Sequence, residues 1–146
     1  MPWIPKQTVV VPVDFSPSSA PAVRTALDLA ATASGVHVVH VITQLNPVLP
    51  IGWGSAEAAQ QLADRALLHL QTFLASHDID GVSISIEVGQ PANRIVEYAD
   101  EQNADLVVIP SHGYHGLKRA LLGSVAEYVI RHANVPTLVL RCHDGE

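Results

Sequence analysis

Cysteine occurs once in this chain, at Cys142, so no disulfide can close within it. That suits a reducing compartment. Positive charge is scarce too. Eight Lys and Arg stand against fourteen Asp and Glu, a net charge of -6, and no basic run offers a footprint for nucleic acid or a membrane surface. No segment approaches the roughly 20 apolar residues that cross a bilayer. The N-terminal stretch MPWIPKQTVV lacks a charged region followed by a long apolar core, so no signal peptide is expected. These absences predict a cytoplasmic protein with no nucleic-acid or membrane partner. A small anionic ligand stays admissible, because backbone N–H groups bind phosphate without many cations.

What is present is a foldable core. With 48% hydrophobic and 15% charged residues over 146 positions, a single domain spanning residues 1–146 is expected. Five β-branched runs stand out: TVVVPV (8–13), VHVVHVI (36–42), VSISIEV (82–88), LVVI (106–109) and TLVL (137–140). The first and fourth are nearly continuous, as strands covered on both faces require. The third alternates, with Val82, Ile84, Ile86 and Val88 on one face and Ser83, Ser85 and Glu87 on the other. It reads as an edge strand with one wet side.

Helical stripes lie between the runs. Val23, Ala26, Leu27 and Ala30 follow the i, i+3, i+4, i+7 spacing, as do Ala92, Ile95, Val96 and Ala99, and Ala126, Val129, Ile130 and Ala133. Residues 55–77 carry Leu62, Ala66, Leu70 and Phe73/Leu74 similarly, with Ser55 as N-cap. Ser16-Pro17-Ser18-Ser19 offers caps for the first helix, and Gly89-Gln90-Pro91 opens the third with proline near its first turn. The order β-α-β-α-β-α-β-α-β calls for an α/β fold, a parallel sheet doubly wound with helices on both faces. The longest break, 43–54, reads as a surface loop able to close over a site.

In such a sheet, ligands sit beyond the carboxyl ends of the strands, where strand order reverses. The first strand ends in Pro12-Val13-Asp14-Phe15-Ser16. Asp14 is placed to accept hydrogen bonds from ribose hydroxyls or an adenine amine, or else to cap the following turn. The fourth strand runs into a loop with Gly113 and Gly116, and Gly123-Ser124 then opens a helix whose N–H groups and dipole favour an anion. Ser124 can donate to a phosphate or cap the helix. Glu127, three residues on, completes a capping-box pattern that favours capping.

The loop matches neither G-x-x-x-x-G-K-[ST] nor G-x-G-x-x-G. Ser111 and His112 with Asp14 do not make a hydrolase triad, because the two are neighbours and no G-x-S-x-G elbow is present. His112 and His115 lack a third ligand at zinc-like spacing, so no metal site is expected. His37 and His40 fall on opposite faces of a strand and are read as packed or exposed. No catalytic residue is expected.

Taken together, VPVDFS, the Gly89-Gln90-Pro91 helix start, ADLVVIPSHG and GLKRALLGSVAEYVIRHANVPTLVL resemble the universal stress protein family. The resemblance runs from Thr8 to Arg141. Nucleotide-binding members of that family carry G-x2-G-x9-G-[ST]. Gly113, nine residues and Gly123-Ser124 match its second half, while Pro110 stands where the first glycine falls.

The resemblance implies a five-stranded sheet ordered 3-2-1-4-5, with ATP or AMP in the crevice between the first and fourth strands. It places Pro12, Val13 and Asp14 against adenine and ribose, with Val41 beside the base. Ile109, Pro110 and Gly113 line the ribose and first phosphates. Gly123, Ser124 and Val125 hold the outer phosphates, accompanied by Mg2+, with Lys118 and Arg119 at the rim or simply solvated. Pro110 lacks an N–H and fixes φ, so weakened binding is expected. The last strand would be an exposed edge in a monomer, and the resemblance implies an antiparallel homodimer through it. The implied role is a stress-related nucleotide-binding sensor or switch, with or without an unidentified protein partner. Alternatives are a nucleotide-free dimeric interaction module, and a slow ATPase or self-phosphorylating protein with Ser124 as acceptor.

Overall fold

The computed structural model describes residues 2–43, 56–112 and 122–142. Five strands and four helices alternate: β1 (Val9–Pro12), α1 (Ser19–Leu29), β2 (Val36–Ile42), α2 (Ala56–Ser76), β3 (Ser83–Val88), α3 (Pro91–Glu101), β4 (Leu106–Pro110), α4 (Ser124–His132) and β5 (Thr137–Leu140). A 3-10 turn, Ala33–Gly35, precedes β2. All pairings are parallel and the order is β3-β2-β1-β4-β5. The expected α/β class and strand order are both observed.

Alternation along the central strands splits the core in two. Val9 and Val11 of β1 and Leu106 and Val108 of β4 face α1 and α2, packing with Val23, Ala26, Leu70 and Leu74. Val10, Val107 and Ile109 face the other way, toward Ile95 and Ala99 of α3 and Ala126 and Val129 of α4. Each face thus needs its own apolar set, which is why β1 and β4 read as unbroken runs.

The elements differ from their sequence-predicted limits only at the ends. Thr8 precedes β1, its N–H taken by the Asp105 carboxylate at 3.0 Å. Val13 follows β1 yet still donates to Val39 O at 2.9 Å. β3 is an edge strand as expected, with Val82, Ile84 and Ile86 packed inward, whereas Val88 at its end is exposed rather than on the dry face. Its other side is less wet than the alternation suggests, because Glu87 pairs with Arg94 of α3 at 3.1 Å. Arg94 also meets Glu97 and Glu101, and these carboxylates hold its guanidinium firmly charged.

Helix starts follow backbone geometry more than side-chain caps. α1 has Ser18 as N-cap without a side-chain cap bond; instead Ser19 N–H donates to Ser16 O at 3.0 Å. α3 begins as expected, with Pro91 at the first position after an extended Gln90. Residues 44–55 and 113–121, including Ser55, Gly113, His115, Gly116, Lys118, Arg119 and nearly all of the 43–54 loop, lie outside the described residues.

Candidate functional site

The strand order reverses between β1 and β4, and their pairing stops at Val10↔Val107. Beyond that pair the two strands part, and a cleft of about 440 Å3 opens at their carboxyl ends, between α3 and α4. That is within the usual size range of small-molecule sites. Nine of the ten residues singled out from the sequence line it: Pro12, Val13, Asp14, Val41, Ile109, Pro110, Gly123, Ser124 and Val125. The tenth, Gly113, lies outside the described residues.

At the β1 end, Asp14 is exposed and its turn is tightly built. Asp14 Oδ1 accepts from Ser16 N–H at 3.0 Å and Ser19 Oγ at 3.1 Å, while Ser19 Oγ accepts from Asp14 N–H at 3.2 Å. The carboxylate therefore holds its own turn, in a residue that also lines the cleft. Phe15, next in the chain, has φ of +65°, a left-handed conformation that costs a side-chain-bearing residue about 1–2 kcal/mol.

His40, read from sequence as packed or exposed, is packed against Phe15 and also lines the cleft. Its Nδ1 lies 2.8 Å from Val13 O. A carbonyl only accepts, so Nδ1 carries a proton and donates it to Val13 O. His37 points to the opposite face as expected, with Nδ1 3.1 Å from the Tyr98 hydroxyl.

At the β4 end, Ser111 is buried and structural. Its Oγ accepts from Cys142 N–H at 3.1 Å and lies 3.2 Å from His112 Nδ1. Cys142 Sγ donates to His112 O at 3.5 Å. Ser111 thus serves as a tie between β4 and the end of β5, and the triad reading gains nothing. Among the described residues no group of three His, Cys, Asp or Glu side chains can hold a metal ion.

α4 departs from the capping-box expectation. Its N-cap is Gly123, no side chain caps it, and Ser124 is the first helical residue. Glu127 pairs with Arg131 at 3.0 Å. The cause is proximity: Gly123 N–H donates to Ser111 O at 2.7 Å, and a Cβ on Gly123 would stand 2.9 Å from that oxygen. The first-turn N–H groups of Ser124, Val125 and Ala126 have no partner within their own helix, and they lie at the cleft.

Sequence reasoning missed Val39, Ile95 and Ala126 as lining residues, together with Pro91, His40, Ser111 and His112. Val39 shares a strand face with Val41, and Ile95 and Ala126 lie on the helical stripes. Those signals mark them as core, and a cleft wall differs from core only in what packs opposite. The described lining is apolar along its walls, polar at its two ends, and without Lys or Arg.

A model of the universal stress protein family matches residues 6–141. Universal stress protein MJ0531 of Methanocaldococcus jannaschii is 36% identical over 141 residues, covering 91% of this chain and 81% of the relative. Universal stress protein G of Escherichia coli O157:H7 is 34% identical over 142 residues, covering 92% and 99%.

Solved structures agree. That of MJ0577 superposes with a TM-score of 0.76 at 26% identity, covering 97% of this chain and all of that one. A universal stress protein in complex with cAMP gives 0.63 at 26% identity, covering 93% and 97%. The Archaeoglobus fulgidus universal stress protein in complex with dAMP gives 0.56 at 26%, covering 91% and 96%. With almost its whole length matched in sequence and in fold, the chain belongs to the universal stress protein family.

Proposed function

We propose that the protein binds an adenine nucleotide in the cleft between β1 and β4, and acts as a dimeric, stress-related sensor or switch rather than as a fast enzyme. One observation carries this reading: residues from both strand ends and from the start of α4 converge on one cleft at the reversal of strand order. The apolar wall made by Val41, Val39 and Ile95 suits a flat heterocycle. Asp14 suits a ribose hydroxyl donor. The first turn of α4 suits a phosphate, because its N–H groups and helix dipole supply the positive end that the lining side chains lack. The cAMP and dAMP complexes of relatives support an adenine ligand. Any Mg2+ would enter with the phosphates of ATP.

The dimer is proposed through β5, an edge strand whose N–H and C=O groups would otherwise stay unpaired on one side. The proposed location is the cytoplasm.

Isothermal titration with ATP and AMP tests the nucleotide, with GTP as control. Saturable adenine-nucleotide binding, weakened by Ser124→Asp, is expected. No binding of either nucleotide would leave the nucleotide-free interaction module as the better reading. Light scattering is expected to give twice the chain mass, and a concentration-independent monomer would overturn the dimer.

A further inference from the structure

Phe15 directly follows Val13 and Asp14, the cleft residues beyond β1, and its φ is +65°. An aromatic residue stays in that region only where its surroundings hold it. Three rings do so. Phe15 stacks on His69 of α2, with centroids 4.1 Å apart and planes at 17°. It tilts against His40 at 4.6 Å and meets Phe73 edge-on at 5.4 Å. His40 in turn donates to Val13 O. One continuous set of contacts therefore joins α2 to the turn that presents Asp14. His69 itself is exposed and is not among the cleft-lining residues.

The geometry points to Phe15 and His69 as positioning residues for the ligand of the cleft. The stack holds Phe15 in its unfavourable backbone conformation, and so fixes the Asp14 carboxylate and the Val13 carbonyl in the orientation the ligand meets. The inference rests on the nucleotide reading for its ligand but not for its mechanics. His69 touches no ligand. It acts through Phe15, and any planar ring in its place serves equally.

The test uses the full chain with His69→Ala and His69→Phe, two changes at an exposed site that leave the core intact. Amide exchange is followed at Asp14 and Ser16, whose N–H groups bond Ser19 Oγ and Asp14 Oδ1, and AMP affinity is measured in parallel. An aromatic pair of this kind supports a change of roughly two- to tenfold. His69→Ala is expected to speed exchange at both amides and weaken AMP by that factor, and His69→Phe to restore both. Unchanged exchange and affinity in His69→Ala, or no rescue by His69→Phe, would overturn the inference. If the wild type binds no AMP, the nucleotide reading fails, and the exchange rates still decide the positioning role.

Discussion

Pro12 and Pro110 both turn their backbone edges toward the gap between β1 and β4. Val13 donates its N–H to Val39 on β2, whereas Val107 and Ser111 donate theirs to Pro136 O and Leu140 O on the β5 side. Backbone groups alternate along a strand, so position 12 presents its groups toward β4 and position 110 presents its groups toward β1. Both are proline and neither has an N–H. The ladder cannot extend past Val10↔Val107, and the gap is held open by the covalent structure of two residues. The sheet loses nothing at Pro110 on its β5 side, where it still pairs with Leu140. The missing donor is missing from the cleft.

It follows that Pro110→Gly restores a donor where a ligand would meet it. A hydrogen bond to a charged group is worth about 1.5–3 kcal/mol, so AMP or ATP affinity should rise by roughly tenfold or more. Pro110→Ala restores the N–H without glycine's backbone freedom. If Ala recovers as much as Gly, the donor itself is responsible; if only Gly does, the loop path is. Titration calorimetry giving equal affinities for all three proteins would remove Pro110 from the argument.

Asp105 sets the start of β1. Its two carboxylate oxygens accept from Gln7 N–H at 2.9 Å and Thr8 N–H at 3.0 Å, and its own N–H donates to Thr8 O at 2.9 Å. Asn in its place keeps one acceptor, turns an NH2 toward the other N–H, and removes the charge. With partial solvent exposure, a loss of about 1–2 kcal/mol is expected for Asp105→Asn. Urea unfolding should show a lower midpoint at unchanged slope. An unchanged midpoint would mean that water replaces the carboxylate freely.

Much of this was legible in the sequence because strands covered on both faces need apolar residues at nearly every position. The limits of β2 and β5 match their runs, and the alternation of Val82, Ile84 and Ile86 marked β3 as an edge. The misreadings share one cause, contacts made far along the chain. Ser124 has the composition of an N-cap, but the approach of Gly123 to Ser111 O gives that place to glycine. The parity of His37 and His40 separates them onto opposite faces, yet nothing local says that β1 ends early enough for His40 to reach Val13 O. Nothing in a phenylalanine signals positive φ, and the rings of His69, His40 and Phe73 that surround it come from distant parts of the chain.

His37 should make stability depend on pH in a definite direction. Partial burial holds its pKa below the ordinary histidine value. The unfolded chain therefore takes up the proton first as pH falls. The contribution of neutral, partly buried His37 is fully present above the unfolded value and is lost as the pH falls through it toward the lower folded value. The melting temperature should fall between about pH 7.5 and about pH 5.5, and His37→Gln should show a smaller fall, isolating this residue from the other histidines. Identical pH slopes in the two proteins would show that His37 binds its proton equally well folded and unfolded.

Gly123 joins fold and site at one atom. Its φ of -63° and ψ of 151° suit any residue, so conformational freedom is not what it supplies. It supplies space: an added Cβ would lie 2.9 Å from Ser111 O and 3.4 Å from His112 Cα. Both are backbone atoms that cannot swing aside. Gly123→Ala must push the first turn of α4 away from the end of β4, stretching the 2.7 Å bond from Gly123 N–H to Ser111 O. Overpacking of this kind costs about 1–3 kcal/mol. The same displacement carries the free N–H groups of Ser124 and Val125 away from the cleft. Nucleotide affinity should therefore drop along with the melting temperature, whereas Asp105→Asn should lower the melting temperature alone. If Gly123→Ala destabilises the fold but binds AMP as tightly as the wild type, the α4 N-terminus does not hold the phosphate.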